Sequence, residues 1–454
     1  MKGRVRTVHF VGIGGIGMSG IAEVLHNLGF RVQGSDLSEN ANVQRLRSLG
    51  VPVWIGHAPE HVQGADVVVY TSAASDDNPE LEAARAAGIP VIPRAEMLAE
   101  LMRMRHGIAV AGSHGKTTVT SMIAHAMEAE GLDPTYVIGG RLIATGQNAR
   151  LGASEWIVVE ADESDGSFLK LSPTIAVITN IDPEHLDTYG SLDALVDAFV
   201  QFANAVPFYG RVILHHTHPQ VVRVRARTHR PVWSYGASPQ ADVALRTRTP
   251  QGLRQTLSVA FQGRPAGTLA LSVPGMHNAE NALAALAVLL ELGLSFTEAA
   301  RALAGFPGIH RRLQHAQIGS GMLVDDYAHH PREIEAVLAT LREAFGTRPI
   351  TVVFQPHRYT RTKLLFSAFI TAFDLADRVV VAPIYPASEK PIPGITHEAL
   401  VEAMHQQGRR HAVAVPDLDA AQAEAERALA RGEVVLVAGA GSIAKVAARI
   451  REGA

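Results

Sequence analysis

Two glycine-rich turns, each set between a short apolar run and a helical pattern, constrain this chain more than any other feature. Gly12-Ile13-Gly14-Gly15-Ile16-Gly17 follows an apolar run at residues 8–11, and Gly112-Ser113-His114-Gly115-Lys116-Thr117-Thr118 follows one at residues 107–111. Strand, glycine turn and helix in that order belong to parallel, doubly wound sheets, with the turn at the carboxyl end of the strand. The same alternation continues through apolar runs at 65–70, 90–92, Trp156–Glu160, 174–180, 322–325, Ile350–Phe354, 378–382 and Val434–Ala438. At 454 residues the chain has room for about three domains. The expected division is 1–97, 98–306 and 307–454, with the first boundary inside residues 94–104. Between 211 and 275 the texture changes to β-branched alternation (Val221, Val222, Val224) and turn pairs such as Gln251-Gly252. That stretch predicts an antiparallel patch added to the central sheet.

Composition removes whole classes of function. With 47% hydrophobic and 19% charged residues, the chain is not of the disordered type. A net charge of −3 supplies no global basic field, so no nucleic-acid partner is expected. The absence of cysteine excludes disulfides, thiolate nucleophiles and Cys-type zinc sites. The apolar run at 282–290 stops at Glu291, short of the ~20 residues of a membrane span. Lys2, Arg4 and Arg6 precede an apolar stretch, but glycines interrupt it where a signal peptide would be continuous. A cytoplasmic protein without membrane insertion is expected.

The first turn fits G-x-G-x-x-G, in which Gly12, Gly14 and Gly17 let backbone amides approach a pyrophosphate at a helix N-terminus. Asp36 stands 19 residues beyond Gly17, at the end of the next strand, where an acid accepts from a ribose hydroxyl. A dinucleotide and a uridine diphosphate both satisfy this pattern, and a turn serving only helix–strand packing also remains open. In the second turn the Gly115-Lys116-Thr117 core matches a phosphate-cradling P-loop. Val110 occupies the place where the usual signature has its first glycine, so the loop is a variant. Strand ends nearby carry Glu160-Ala161-Asp162-Glu163-Ser164-Asp165 and Asn180-Ile181-Asp182-Pro183-Glu184-His185. From these, Glu160 and His185 are the candidates for metal and phosphate contacts, because nucleotide-bound Mg²⁺ needs hard ligands beside such a loop. His215, His216 and His218 are given no role, as they are expected away from this cluster and without a paired carboxylate. Residues 324–331 place acids and imidazoles past a strand, and residues 354–362 place His357, Arg358 and Arg361 past another. Forked guanidinium groups there suit a carboxylate or phosphate held in plane.

In order along nearly the whole chain, residues 12–20, 112–118, 160–165, 180–182, His185, Asp187-Thr188-Tyr189, Asp325-Asp326-Tyr327 and 354–362 resemble the Mur ligase family. The resemblance implies a Rossmann-like N-terminal domain for a UDP-sugar, a central ATPase domain with a parallel sheet plus a small antiparallel sheet, and a Rossmann-like C-terminal domain. It implies ATP, Mg²⁺ (two ions) and an acyl-phosphate route joining L-alanine to UDP-N-acetylmuramate, by a monomer or homodimer. Residue by residue, it places ATP against Gly112, Ser113, His114, Gly115, Lys116, Thr117, Thr118, His277, Asn281, Arg312 and Asp326. Metal falls to Thr117, Glu160 and His185. The UDP-substrate falls to Gly12, Gly14, Gly17, Asp36, Ser72, His357 and Arg358, with Lys116, Glu160, His185 and Arg361 catalytic. No lysine occurs between Lys170 and Lys363, so the stretch after His185 cannot supply the carbamylated lysine of several relatives. Glu184 departs from the expected Asp. A hydride-transferring dehydrogenase would explain Gly12–Gly17 and Asp36, yet it leaves the lysine loop, the acidic strand end and the arginine stretch without a purpose.

Overall fold

The computed structural model describes residues 4–71, 73–140, 142–143, 146–387 and 389–453, and of Asp187 only the backbone. The fold is three-domain α/β. By packing it separates into two compact units, one of residues 1–248, 257–270 and 280–306, the other of 249–256, 271–279 and 307–454.

In the first unit, five short strands rich in Val and Ile form a parallel sheet in the order Val53–Ile55, Arg31–Asp36, Thr7–Val11, Val67–Tyr70, Val91–Pro93. The chain reverses its winding beside Thr7–Val11, so the first glycine turn leaves the sheet at its switch point. A ten-stranded mixed sheet follows. Its central strands are Arg211–His215, Ile175–Ile178, His106–Ala111 and Trp156–Glu160, all parallel. Val8, Phe10 and Val24 belong to the same buried cluster as Ala109, Val159 and Phe199, so both sheets share a core. The boundary region 94–104 contributes to that core. It contains the helix Arg94–Met102, with Met97, Leu98, Leu101 and Met102 buried.

Within residues 211–275 the antiparallel addition to the central sheet is present, but only from Val243 onward. Arg211–His215 and Val232–Gly236 pair in parallel, and the antiparallel hairpin strands Val243–Gln251, Arg254–Phe261 and Arg264–Leu271 continue the same sheet outward. The valines at 221–224 belong to the helix Pro219–Arg225. Proline suits its first turn, where no amide hydrogen bond is lost. Val221 and Val224, three apart, share its buried face while Val222 is exposed. Burial at helical spacing outweighed β-branched propensity.

The second unit carries a six-stranded sheet in the order Gln314–Ile318, Gly321–Asp326, Val434–Ala438, Ile350–Phe354, Arg378–Val381, Ala412–Ala414. Its first pair is antiparallel and the others are parallel. Val324, Val352, Phe354 and Leu436 fill one side, Val353, Val435 and Val437 the other, as expected for strands buried on both faces.

A charged group lies wholly inside the N-terminal sheet region. Glu80, in the helix Pro79–Ala86, is fully buried. Its carboxylate accepts from Ser35 Oγ at 2.5 Å, His61 Nδ1 at 2.6 Å and His9 Nε2 at 3.2 Å. Burial alone would raise its pKa, but these hydrogen bonds outweigh it and hold the carboxyl at about 2. A carboxyl depressed on folding stabilises fully above its unfolded value of about 4.5, and the contribution is lost as pH falls toward about 2. Glu80→Gln should therefore lower stability near neutrality, by on the order of 3 kcal/mol. The deficit should shrink steadily below about pH 4.5 in thermal melts. A deficit of constant size across that range would contradict the assignment.

Candidate active site

The first glycine turn is held by the strand beside it. Gly12 (φ +80°) and Ile13 donate to the Ser35 carbonyl at 2.8 and 2.9 Å. Gly14 donates to Asp36 Oδ2 at 2.9 Å, and a Cβ there would meet that oxygen at the same distance. A Cβ at Gly17 would lie 2.9 Å from Arg94 Nη1. Asp36 thus shapes the turn as well as ending its strand, and each of its oxygens keeps a lone pair for a further donor. Ser72 lies outside the described residues.

The second turn joins His106–Ala111 to the helix Lys116–Ala129. Gly112 and Gly115 have φ of +133° and +82°. A Cβ on Gly115 would strike Asn281 Oδ1 at 2.6 Å, and one on Gly112 would collide with Thr179, so glycine is required at both positions. The neighbouring strand end fixes the turn. Ser113 donates to the Asn180 carbonyl at 3.0 Å, His114 donates to Asn180 Oδ1 at 2.8 Å, and Thr179 Oγ1 donates to the His114 carbonyl at 2.6 Å.

Lys116 points back into this cradle, donating to the Gly112 and Ser113 carbonyls and to Glu163. Its Nζ lies 2.9 and 3.0 Å from the two Glu163 oxygens. Burial would lower the lysine pKa, but Glu163, then Asp162 and Glu160, push it above its ordinary value. Thr117 Oγ1 donates to Glu160 Oε2 at 2.9 Å, and Gly139 N reaches the same oxygen at 2.9 Å. Thr118 is buried in the first helical turn. His185, at φ +55°, sets its Nε2 3.9 Å from Glu163 and from Glu184. Glu163 thus pairs with the Lys116 ammonium, and Asp162 and Glu160 add to the negative field on it. A hydroxyl and a carboxylate in contact, amid surplus negative charge, form a donor set suited to a hard divalent cation such as Mg²⁺.

His215 and His218 sit nearer this cluster than their sequence suggested. His215 Nε2 is 3.2 Å from Glu280, and His218 Nε2 is 3.8 Å from Asp182, whose amide donates to Ser113 Oγ at 2.9 Å. The expectation that they lack carboxylate partners fails, because the parallel strand Arg211–His215 ends on the same sheet edge as the turn. His277 and Asn281 lie one turn apart on the helix Met276–Glu291.

In the second unit, Asp326 is buried and accepts from the amides of Leu313 and Ala328 at 2.7 and 2.8 Å. Burial raises its carboxyl to about 6, against the pull of Arg312. Arg312 lies over the Tyr327 ring, 5.3 Å from its centroid. Arg361 donates to His357 Nδ1 at 3.0 Å, and the His357 ring stacks on Tyr385. Arg358 takes φ +71° and donates its amide to the Tyr385 carbonyl at 2.8 Å.

Comparison with known proteins agrees with this arrangement along the chain. Family profiles match at residues 7–106 (Mur ligase family, catalytic domain), 110–289 (Mur ligase middle domain) and 311–441 (Mur ligase, glutamate ligase domain). A UDP-N-acetylmuramate–L-alanine ligase of Sorangium cellulosum is 51% identical over 97% of this chain and 95% of its own length. The chain belongs to the Mur ligase family. A ligase of the same name from Geobacter sp. is 50% identical, covering 98% and 97% of the two chains. Among solved structures, the UDP-N-acetylmuramate-alanine ligase of Thermotoga maritima superposes with a TM-score of 0.83 at 32% identity, covering 98% of each chain. A murein peptide ligase from Psychrobacter arcticus shares the fold, with a TM-score of 0.74 at 24% identity and 98% coverage of each chain.

Several charged groups that the structure sets in or near these clusters were not singled out by sequence. Within the run of acids at 160–165 no local pattern marks Glu163, yet it is the one that takes Lys116. Glu80 left a fainter signal: it falls four residues before Ala84 on the buried side of its helix, a charged residue where an apolar one belongs. Arg94, 3.4 Å from Asp162, left none.

The imidazole of His357 is held neutral. Burial first, then Arg361 and Arg358, push its pKa down to about 4, and only a neutral ring can accept from Arg361 at Nδ1. Imidazole ¹⁵N shifts should therefore show His357 uncharged throughout the neutral range, gaining its proton only near pH 4. An inflection above about pH 6 would contradict this environment.

Proposed function

We propose that this Mur ligase joins L-alanine to the lactyl carboxylate of UDP-N-acetylmuramate at the expense of ATP, as the cytoplasmic first amino-acid-adding step of peptidoglycan precursor synthesis. The observation that carries the reading is the half-buried Lys116, paired with Glu163 and in the field of Asp162 and Glu160, with Thr117 on Glu160. Full-length relatives of that name at about half identity support it. Monomers or homodimers suit a reading in which no nucleic acid takes part.

Each part of the chain then has a task. Backbone amides of Gly112, Ser113, His114 and Gly115 surround the ATP phosphates, while Thr118 packs the first helical turn beneath them. Lys116 draws the β- and γ-phosphates together, and His277 and Asn281 hold the adenine. Arg312 faces the phosphates and Asp326 the ribose. Thr117 and Glu160 would hold one magnesium ion and His185 would serve a second, and these ions would supply positive charge against the repulsion between the substrate carboxylate and the γ-phosphate. Gly12, Gly14 and Gly17, with Asp36 and Ser72, take the uridine diphosphate. His357 and Arg358 meet the muramic acid, and Arg361 steadies the alanine carboxylate.

The bonds balance without further reagents. The lactyl carboxylate oxygen attacks the γ-phosphorus, and ADP departs. The alanine amine attacks the acyl phosphate, loses its proton to solvent water, and the tetrahedral adduct expels inorganic phosphate to leave the amide. Oriented donors, not a covalent enzyme intermediate, supply the acceleration.

Phosphate release should require both UDP-N-acetylmuramate and an amino acid, with L-alanine giving the fastest turnover in a scan. Release supported equally by a tripeptide would reject the alanine assignment. Lys116→Ala should cut turnover by about a hundredfold or more while UDP-substrate affinity stays near wild type, because the two nucleotides use different sheets. Loss of UDP-substrate binding in a folded variant would contradict that separation.

A further inference from the structure

Glu163 has no role in the scheme above, although its side chain is only 1% exposed and both its oxygens lie within 3.0 Å of Lys116 Nζ. An ammonium has three protons to give. Here they go to the Gly112 carbonyl, the Ser113 carbonyl and Glu163. A phosphate oxygen that draws on Lys116 must take one of those places. The two carbonyls are part of the turn itself, so the carboxylate is the partner that gives way. Glu163 is held where it competes, because Tyr189 donates its hydroxyl to the Glu163 carbonyl and Thr188 Oγ1 donates to the Ser164 carbonyl at 2.8 Å. A displaced Glu163 stays beside Glu160 and Asp162, and a polyphosphate entering alone meets uncompensated negative charge in a buried place.

We propose that Glu163 is a positioning residue that competes with phosphate for Lys116, so that the loop takes a nucleotide only together with a divalent cation. The idea rests on reading residues 112–118 as the ATP site. Arg94, at 3.4 Å from Asp162, compensates a different acid, and His185 approaches Glu163 only to 3.9 Å, beyond hydrogen-bonding reach.

The test is isothermal titration of the full-length protein with a β,γ-non-hydrolysable ATP analogue, in excess EDTA and in excess MgCl₂. Wild type should bind the analogue well only with magnesium. Glu163→Gln keeps the shape and removes the charge. It should tighten binding in EDTA by about tenfold or more and change binding with magnesium far less, narrowing the ratio between the two conditions. Glu163→Asp, which keeps the charge, should preserve the wild-type ratio and serves if the Gln variant melts early. A merely structural role would lower the melting temperature without moving that ratio, and would overturn the proposal. Weaker binding with magnesium and unchanged binding in EDTA would overturn it too, by making Glu163 a partner of the cation. If wild type bound the analogue in neither condition, the ATP reading itself would fall. Normal wild-type binding with an unmoved ratio in Glu163→Gln would remove only the role given to Glu163.

Discussion

The ion pair between Lys116 and its ring of carboxylates is the constraint on which the rest of the central sheet depends. An ammonium in a buried place is costly unless it is paired and fully hydrogen-bonded. Here two backbone carbonyls and Glu163 satisfy it. That arrangement needs Gly112 in a conformation closed to other residues, which in turn needs Thr179 and Asn180 at the end of the next strand to brace the turn. Charge, backbone conformation and sheet order are one problem with one solution.

Parallel pairing is what makes the solution available. Val110 stands opposite Glu160 and Ala111 opposite Ile178, so the three polar strand ends emerge on one edge within hydrogen-bonding reach. An antiparallel neighbour would have sent its carboxyl end to the other side. The same logic gathers His215 and His218 near Asp182 and Glu280, because Arg211–His215 is parallel too. In the N-terminal sheet the Ser35 carbonyl does for Gly12 and Ile13 what Asn180 does for Ser113.

Sequence made the glycine turns, the strands Trp156–Glu160, Ile350–Phe354 and Val434–Ala438, and the acids at 160–165 legible, because each is a local pattern with a local cause. It misjudged Pro219–Arg225, where three valines favoured a strand and burial of Val221 and Val224 decided for a helix. It did not separate Glu163 from its neighbours, since which acid meets the lysine depends on how residues 161–167 turn back over the strand. That turn is set by contacts from Thr188 and Tyr189, some 25 residues away. Nor did periodicity reveal Glu80, whose partners His9, Ser35 and His61 come from three separate segments. What local pattern carries, a reader of sequence recovers. What depends on the meeting of distant strand ends waits for the sheet.

The second unit handles charge in the opposite way. Around Lys116 a half-buried cation faces acids and stays charged. Around Arg361 the nearby imidazoles lose their charge instead: His357 and His329 are both pushed down to about 4, burial being the larger cause in each. The difference follows from what each group can give up. Lysine has no neutral form within reach once three carboxylates face it, whereas histidine sheds its proton for little and becomes an acceptor. A neutral His357 can orient Arg361 through Nδ1 without competing for the anion that a guanidinium attracts, leaving the fork of Arg361 as the local positive charge. Replacing that imidazole with a permanent cation would add charge and lose the acceptor together, so the value of histidine there lies in what it does not carry.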